Sequence, residues 1–443
     1  MQARDVKRAS GRGAGRRSAR PSQRRPAACV KPCGWRWRVG PGQCPGGWWC
    51  GHRLYSATAP EDTVAERSAS AAIVGVAESD EIGNVPGKSA LQLHAEAAFN
   101  ALEDAGLSKA DVDGLFTAGY STYDTGEYLG ISPRYTDSTS VGGSSFVIHV
   151  GHAAAAIAAG RCEVALITHG QAGRSARAPV VRDAGLPIAQ YESPYGIIGQ
   201  PIAYSMAASR YMHRYGEDRT RQALAEIAVA TRKWAVLNPK AMMREPLSFD
   251  DYHDSRWISY PFHLLDCCIV TDAGAAVVVT SAERARSLPK EPVWVLGAAE
   301  HHDHAGISQM GDLTLTPAHV TGPAALAEAG VTHDDIDLAM IYDSFTYTVL
   351  VTLESLGYCG PGEGPDFVAD QRTAPGGDFP MNTSGGGLSY THPGMYGIFL
   401  VVEAVRQLRG EAGARQVEDV RLSLVNGTGG SLSSTGTIVL GVG

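Results

Sequence analysis

Residues 101–113 read ALEDAGLSKADVD, and residues 325–337 read ALAEAGVTHDDID. Both obey the pattern A-L-x-x-A-G-[LV]-[ST]-x-x-D-[VI]-D. Each copy ends an amphipathic helix at a glycine just past the last helical residue, where a left-handed backbone costs glycine least. A short turn through Asp-Val-Asp or Asp-Ile-Asp then leads into an apolar run, GLFTAGY in one copy and LAMIYDSF in the other. A further apolar run precedes each helix: AAIVGVAES at 71–79 and PVWVLGAAE at 292–300. A common helix–turn–strand idiom could produce one such match. The paired flanking strands make internal duplication the better account. Two similar halves, each burying a sheet against helices, define an α/β fold.

Other segments fit this plan. Ala153–Gly160 predicts a small-residue helix ending at glycine, followed by the strand CEVALITHG, and AVRQLRG (404–410) leads in the same way into VRLSLVNGTGG. Residues 200–262, rich in Tyr, Met and His, read as an insertion. The expected organisation is a disordered basic leader at 1–68, an N-terminal half at 69–288 with a loop insertion around 170–262, and a C-terminal half at 289–443.

The chain has 443 residues, 44% of them hydrophobic, and a formal charge of −8. Residues 1–60 hold 13 Lys/Arg against one acid, Asp5, which leaves 25 Lys/Arg and 45 Asp/Glu for the rest. An acidic body excludes a nucleic-acid function. No apolar run is long enough for a spanning helix, so no membrane insertion is expected. Four of the eight cysteines lie in the leader, and the body keeps Cys162, Cys267, Cys268 and Cys359. That is no secreted disulfide framework, and a reducing, cytoplasmic setting is expected. Cys162, Cys267 and Cys268 read as packed core thiols.

The leader lacks the apolar stretch of a signal peptide after Arg16-Arg17, and its Gly and Pro would break a transit-peptide helix. Cys29, Cys33, Cys44, Cys50 and His52 lack the paired spacing of a zinc ribbon. A disordered tail, or sequence absent from the mature protein, is the remaining reading. His301-His302-Asp303-His304 invites a metal, but adjacent imidazoles rarely converge, and a loop near the substrate mouth is expected instead. VNGTGG lacks the lysine and spacing of a phosphate cradle and reads as a glycine-rich turn.

Four segments carry a resemblance to a known family: STSVGGSSFVIHVGHAAAAIAAGRCEVALI (138–167), DCCIVTDAGAAVVV (266–279), IYDSFT (341–346) and NTSGGGLSYTHPG (382–394). In this order, with the duplication, they resemble the thiolase superfamily over roughly residues 70–443. The resemblance implies a thiolase-like fold with mixed five-stranded sheets in αβαβα layering, activity on acyl-CoA thioesters, and a homodimer.

The departures are informative. The superfamily's nucleophilic cysteine would fall at Gly143, within Val141-Gly142-Gly143-Ser144-Ser145. The position of its second cysteine lies in Asn426-Gly427-Thr428-Gly429-Gly430. Neither loop has a thiol, and glycine cannot attack a thioester. This pattern is similar to the lipid-transfer-protein branch, whose thiolase-like aldolases cleave β-hydroxyacyl-CoA side chains. That branch implies retro-aldol chemistry by tyrosine, and a small OB-fold partner carrying a zinc ribbon. No tightly bound cofactor is expected, with coenzyme A entering as part of the substrate.

A retro-aldol step needs a base for the β-hydroxyl proton, a donor pocket for the enolate and a proton for the α-carbon. Tyr342 and Tyr390 are the candidates for base and relay, and a nearby donor or cation would have to lower a phenol pKa for the purpose. His392 is the candidate oxyanion donor. Gly143, Ser144, Asn382, Gly385, Gly386, Gly387 and Gly429 are candidates for contact with the thioester. The tyrosines are equally readable as ordinary buried residues, with Tyr347 and Tyr396 as substitutes, and Asn382 and Asp343 as loop-shaping groups. Two other functions compete: an acyl-CoA acyltransferase using Ser144 or another non-cysteine nucleophile, and a non-catalytic acyl-CoA-binding subunit of an OB-fold complex.

Overall fold

A computed structural model describes residues 69–176 and 183–443. The leader at 1–68, with its candidate zinc residues, lies outside the described residues. In chain order the strands are β1 (Ala71–Glu78), β2 (Gly114–Phe116), β3 (Tyr135–Asp137), β4 (Val164–Ala172), β5 (Trp257–Ser259), β6 (Phe262–His263), β7 (Asp272–Ser281), β8 (Val293–His302), β9 (Leu338–Ile341), β10 (Leu422–Gly429) and β11 (Ser434–Gly441). The helices are α1 (Ala90–Asp104), α2 (Thr122–Leu129), α3 (Ser145–Ala158), α4 (Pro187–Tyr191), α5 (Gln200–Tyr215), α6 (Glu217–Leu237), α7 (Phe249–Asp254), α8 (Ala282–Ala285), α9 (Ala318–Ala329), α10 (Thr346–Leu356), α11 (Gly364–Phe367) and α12 (Gly397–Leu408).

Each recurring position of the sequence repeat has the same task in both halves. Gly106 and Gly330 are left-handed (φ 69° in both) and close α1 and α9. The N–H groups of Leu107 and Val331 reach back to the carbonyls of Leu102 and Leu326. Ser108 with Asp111, and Thr332 with Asp335, form matching capping boxes on the next turn. The closing aspartates anchor the neighbouring parallel strands. Asp113 accepts from the N–H groups of Glu163 and Val164 at 2.8 Å, and Asp337 from those of Arg421 and Leu422 at 2.9 Å. The carbonyls of the opening residues, Ala101 and Ala325, pack onto glycines of the adjacent strands. A Cβ at Gly75 or Gly297 would lie under 3.0 Å from those oxygens.

The sheet order is β3-β2-β4-β7-β1 in the first half and β8-β11-β10-β9 in the second. β2 runs parallel to β3 and β4, and β9 parallel to β10, whereas the inner pairs are antiparallel. Two details differ from the expected pair of separate five-stranded sheets. The fifth position of the second half is a single parallel bridge, Met381 beside Ala339. The two halves also join where β1 meets β8, at Ala72–Trp294 and Ile73–Val293, into one nine-stranded sheet. Pairing these two strands satisfies backbone groups that two separate sheets would leave as open edges.

The layers follow from side-chain periodicity. In β4, Val164 and Leu166 face one core while Ala165 and Ile167 face the other. The outer face of the first half is covered by α1, and that of the second by α9, against which α10 packs. The layer between the halves is α3 and α12, which touch strands of both. A helix apolar on every side, as α3 nearly is, belongs in such a position. The expected insertion falls between β4 and β7. Its long helix α6 docks on the second half, with Trp234 Nε1 donating to Thr373 O at 2.8 Å and Arg232 Nε to Ser389 Oγ at 2.9 Å. Among the described residues no helix is long and apolar enough to cross a membrane.

Gly75→Ala and Gly297→Ala should each lower the stability read by urea denaturation by about 1–3 kcal/mol, because the added methyl wedges helix from sheet. Gly311→Ala, in open space, should change it by less than about 0.5 kcal/mol.

Candidate active site

The site is built where the loop before α3 meets the loops after β9 and before α12. Gly142 (φ 84°) turns the chain against the backbone of Gly429 and Gly430, and Gly142–Ser144 form a single 3-10 turn into α3. Ser145 fixes that turn, donating to Gly142 O at 2.7 Å and accepting from Val141 N–H at 2.9 Å.

Tyr342 emerges from the end of β9, and its ring lies against Gly143. A Cβ at 143 would fall under 3.0 Å from Cε2, Cζ and Oη of that ring. The tyrosine therefore fills the space that a side chain at 143 would need. Its hydroxyl accepts from Tyr396 N–H at 3.0 Å and pairs with His392 Nε2 at 3.0 Å. Tyr396 stacks on His392 and Phe399. The backbone of His392 is tied to Thr271 in both directions.

Burial sets the protonation of this pair. It pulls the His392 imidazole down to about 4, opposed by a hydrogen bond to its own backbone. It pushes the Tyr342 phenol well above its ordinary value, with the Tyr396 N–H opposing. The expected lowering of a phenol pKa is thus reversed at Tyr342. At neutral pH the pair is a protonated phenol beside a neutral imidazole. The adjacent Asp343 is pushed up to about 7 by burial, although it accepts from Gly387 N–H at 2.7 Å and Leu388 N–H at 3.1 Å.

Tyr390 does not join the pair. Its hydroxyl donates to Glu78 Oε1 at 2.6 Å, and Glu78 is held by Arg406 (2.5 and 2.6 Å) and Lys240 (3.0 Å). Burial would raise Glu78, but these cations outweigh it and hold the carboxyl far below its usual range. Tyr390 ends a buried five-residue π-type turn, Gly386–Tyr390, that begins after left-handed Gly385. Tyr347 lies elsewhere, donating to Leu313 O.

The candidate thioester-contact residues have other neighbours. The missing side chain of Gly386 makes room for the Asp343 carboxylate, that of Gly385 for Ala235, and that of Gly429 for Val141 O and Ser144 Oγ. Gly387 lies against His392 and Asp343. Asn382 accepts from Ile341 N–H at 2.8 Å, which fixes the loop beside β9. Ser144 is buried, and its hydroxyl pairs with Ser434 Oγ at 2.8 Å. The stretch expected to be a glycine turn is strand β10 as far as Gly429. The His301–His304 stretch is likewise not a free loop, because β8 runs through His302. Its imidazoles turn to separate partners: Asp303, Ser434 and Ser431 O.

A cavity of about 650 Å³ leads to His392, with Tyr120, His169, Gln171, Cys268 and Met395 in its wall. Cys268 is the correction to the reading of the body cysteines as core thiols. It reaches the cavity, but burial pushes its thiol far above the ordinary range, so it stands as a protonated thiol. His169 and Gln171 were missed by the sequence reading. The signal was present in ALITHGQA, where strand alternation places them on the face of Ala165 and Ile167.

The chain is similar to several known proteins. The family described as "Thiolase C-terminal domain-like" matches residues 299–442. The "Steroid side-chain-cleaving aldolase" of Thermomonospora curvata is 38% identical over 405 residues, covering 84% of this chain and 97% of that one. The "17-hydroxy-3-oxo-4-pregnene-20-carboxyl-CoA lyase" of Mycobacterium tuberculosis is 36% identical over 405 residues, covering 84% of this chain and all of that one. The solved structure named "Ltp2-ChsH2(DUF35) aldolase" superposes with a TM-score of 0.77 at 35% identity, covering 86% of this chain and 99% of that one. The chain belongs to the thiolase superfamily, in its aldolase branch. As a member of that superfamily it carries Gly143 and Ser144, and no cysteine, at the head of its central helix α3.

Because Tyr342 and residue 143 share one volume, Gly143→Ala should destabilise the protein by about 1–3 kcal/mol. In the background of Tyr342→Ala the same substitution should cost markedly less, a coupling above about 0.5 kcal/mol by urea denaturation in a double-mutant cycle. A second prediction concerns pH. Burial holds His94 at about 3, and His149 and His392 at about 4, against an ordinary 6.5. Such groups bind more protons unfolded than folded. Their contribution is therefore fully present above about pH 6.5 and declines as pH falls toward 4. The stability read by urea denaturation should drop between pH 7 and pH 5, by at most about 2 kcal/mol per histidine, with the raised Asp343 offsetting part of the loss.

Proposed function

We propose that this chain cleaves a carbon–carbon bond of a β-hydroxyacyl-CoA by a retro-aldol reaction, releasing a ketone or aldehyde and a shortened acyl-CoA. The observation that carries this reading is the Tyr342 ring in the volume of a side chain at 143. A site that stores no acyl group on sulfur must break the bond by moving a proton, and the Tyr342–His392 pair is built to move one. The relatives named as an aldolase and a CoA lyase support the same chemistry and a lipid or steroid side-chain thioester as substrate.

In this mechanism His392 Nε2 accepts the β-hydroxyl proton. The Cα–Cβ electron pair passes into the thioester as an enolate, and the new carbonyl compound leaves. Tyr342 gives its proton to Cα, and His392 returns one to Tyr342 across their 3.0 Å contact. The Tyr396 N–H stabilises the transient phenolate. An imidazolium is disfavoured in the buried site but favoured opposite a developing enolate, so the stabilisation is larger in the transition state than in the ground state. Tyr390 acts as a positioning residue, holding the Gly386–Tyr390 turn through Glu78. An acyltransferase using Ser144 would first have to free its hydroxyl from Ser434 Oγ.

The name of the solved relative pairs it with a DUF35 protein. We infer for this chain a small OB-fold partner with a zinc ribbon, together with homodimerisation and a cytoplasmic setting.

The test incubates the full chain and such a partner with a β-hydroxyacyl-CoA and follows both products by mass spectrometry. Equimolar carbonyl compound and shortened acyl-CoA are expected. Tyr342→Phe and His392→Phe should each slow release by about 100-fold or more, with little change in KM. The rate should fall as pH drops toward 4, where His392 protonates. Full activity in Tyr342→Phe would refute the mechanism, and an acyl-enzyme trapped during turnover would refute the reaction class.

A further inference from the structure

The cavity that ends at His392 has a second imidazole in its wall that the mechanism above does not use. His169 lies near the end of β4, 1% exposed, with its ring against Phe146 at 4.7 Å between centroids. Among the described residues neither of its ring nitrogens has a hydrogen-bond partner. Two residues on, and so on the same strand face, Gln171 also lines the cavity, and its Oε1 is likewise buried without a partner. A buried polar atom left unpaired is a cost to the fold. Three such atoms on one cavity wall mark that wall as built for a polar group of the occupant.

The imidazole's environment narrows which group. Burial drives its pKa well down, and the nearby imidazoles of His94 and His392 oppose a charge there as well. A neutral imidazole presents one N–H donor and one acceptor. It can recognise an uncharged oxygen and has no charge to offer a phosphate or carboxylate. The acyl part of a retro-aldol substrate always carries one uncharged oxygen besides its thioester, on the β-carbon. That oxygen begins as a hydroxyl and ends as a carbonyl, and it can accept from an N–H donor throughout.

We propose that His169 is a specificity-determining residue that donates a hydrogen bond to the β-oxygen of the acyl group, leaving the hydroxyl proton directed to His392. This inference rests on the retro-aldol reading. Under it the enzyme distinguishes a β-hydroxyacyl-CoA from the otherwise identical saturated acyl-CoA before any bond is broken. A methylene in place of the hydroxyl-bearing carbon would leave the His169 donor unpaired.

The test measures calorimetric affinity for a β-hydroxyacyl-CoA and its 3-deoxy counterpart in the Tyr342→Phe chain, where turnover is suppressed. The hydroxy ligand should bind about tenfold more tightly. In Tyr342→Phe/His169→Leu the two should bind equally, with the deoxy affinity unchanged, and His169→Gln should restore part of the preference. A purely structural His169 would lower both affinities together and leave their ratio intact, which would overturn the proposal. Should the leucine variant not fold, nitrogen-15 histidine NMR of the Tyr342→Phe chain decides. A His169 nitrogen resonance should move with the hydroxy ligand and not with the deoxy one, and equal response to both would again overturn it. Failure of the retro-aldol reading shows separately, as no carbonyl product from the unsubstituted chain while the hydroxyl preference persists.

Discussion

Tyr342 and residue 143 compete for one volume, and much of the site follows from how that competition is resolved. With glycine at 143, the tyrosine ring lies at the head of α3 and its hydroxyl reaches both the Tyr396 N–H and His392. Any larger residue at 143 would force the ring out and break its pairing with His392. Glycine at 143 and the Tyr342–His392 contact are therefore two sides of a single packing constraint.

The duplicated architecture delivers these groups to one place. β9 supplies Tyr342, the loop before α12 supplies His392 and Tyr396, and the turn into α3 supplies Gly143. All three meet in the helical layer that both halves share, because α3 and α12 touch strands on either side. The repeat's glycines and aspartates hold each helix hard on its sheet, so the central layer is fixed from both directions. The insertion then clamps the second half from outside, through Trp234 and Arg232.

Depth of burial gives the site its electrostatic character. His392 and His169 are neutral, and the phenol of Tyr342 and the thiol of Cys268 stay protonated. Near the π-type turn the opposite solution appears, where Glu78 keeps its charge because Arg406 and Lys240 surround it. A neutral cavity thus lies beside a fully paired charged anchor. The anchor holds the Gly386–Tyr390 turn in place through the Tyr390–Glu78 hydrogen bond.

The sequence by itself determined the duplication, the α/β class, the superfamily and the absence of cysteine at the head of α3. Each of these is written in local patterns: glycine caps, capping boxes, Asp-x-Asp turns and the order of short motifs. It also brought Tyr342 and His392 to notice, because they lie within those motifs. What only the tertiary structure decided is how side chains from distant segments share space. Tyr342 and Tyr390 read alike in sequence, yet one hydroxyl meets His392 and the other meets Glu78, 312 positions away. Gly385, Gly386 and Gly429 read as openings for a thioester, yet Ala235, Asp343 and Ser144 fill them. His169 and Gln171 passed as strand residues, and Cys268 as a core thiol, until the cavity beside them was seen. Local sequence sets backbone geometry within a few residues. Burial, and with it the protonation of each group, is set by whatever the rest of the chain packs against it.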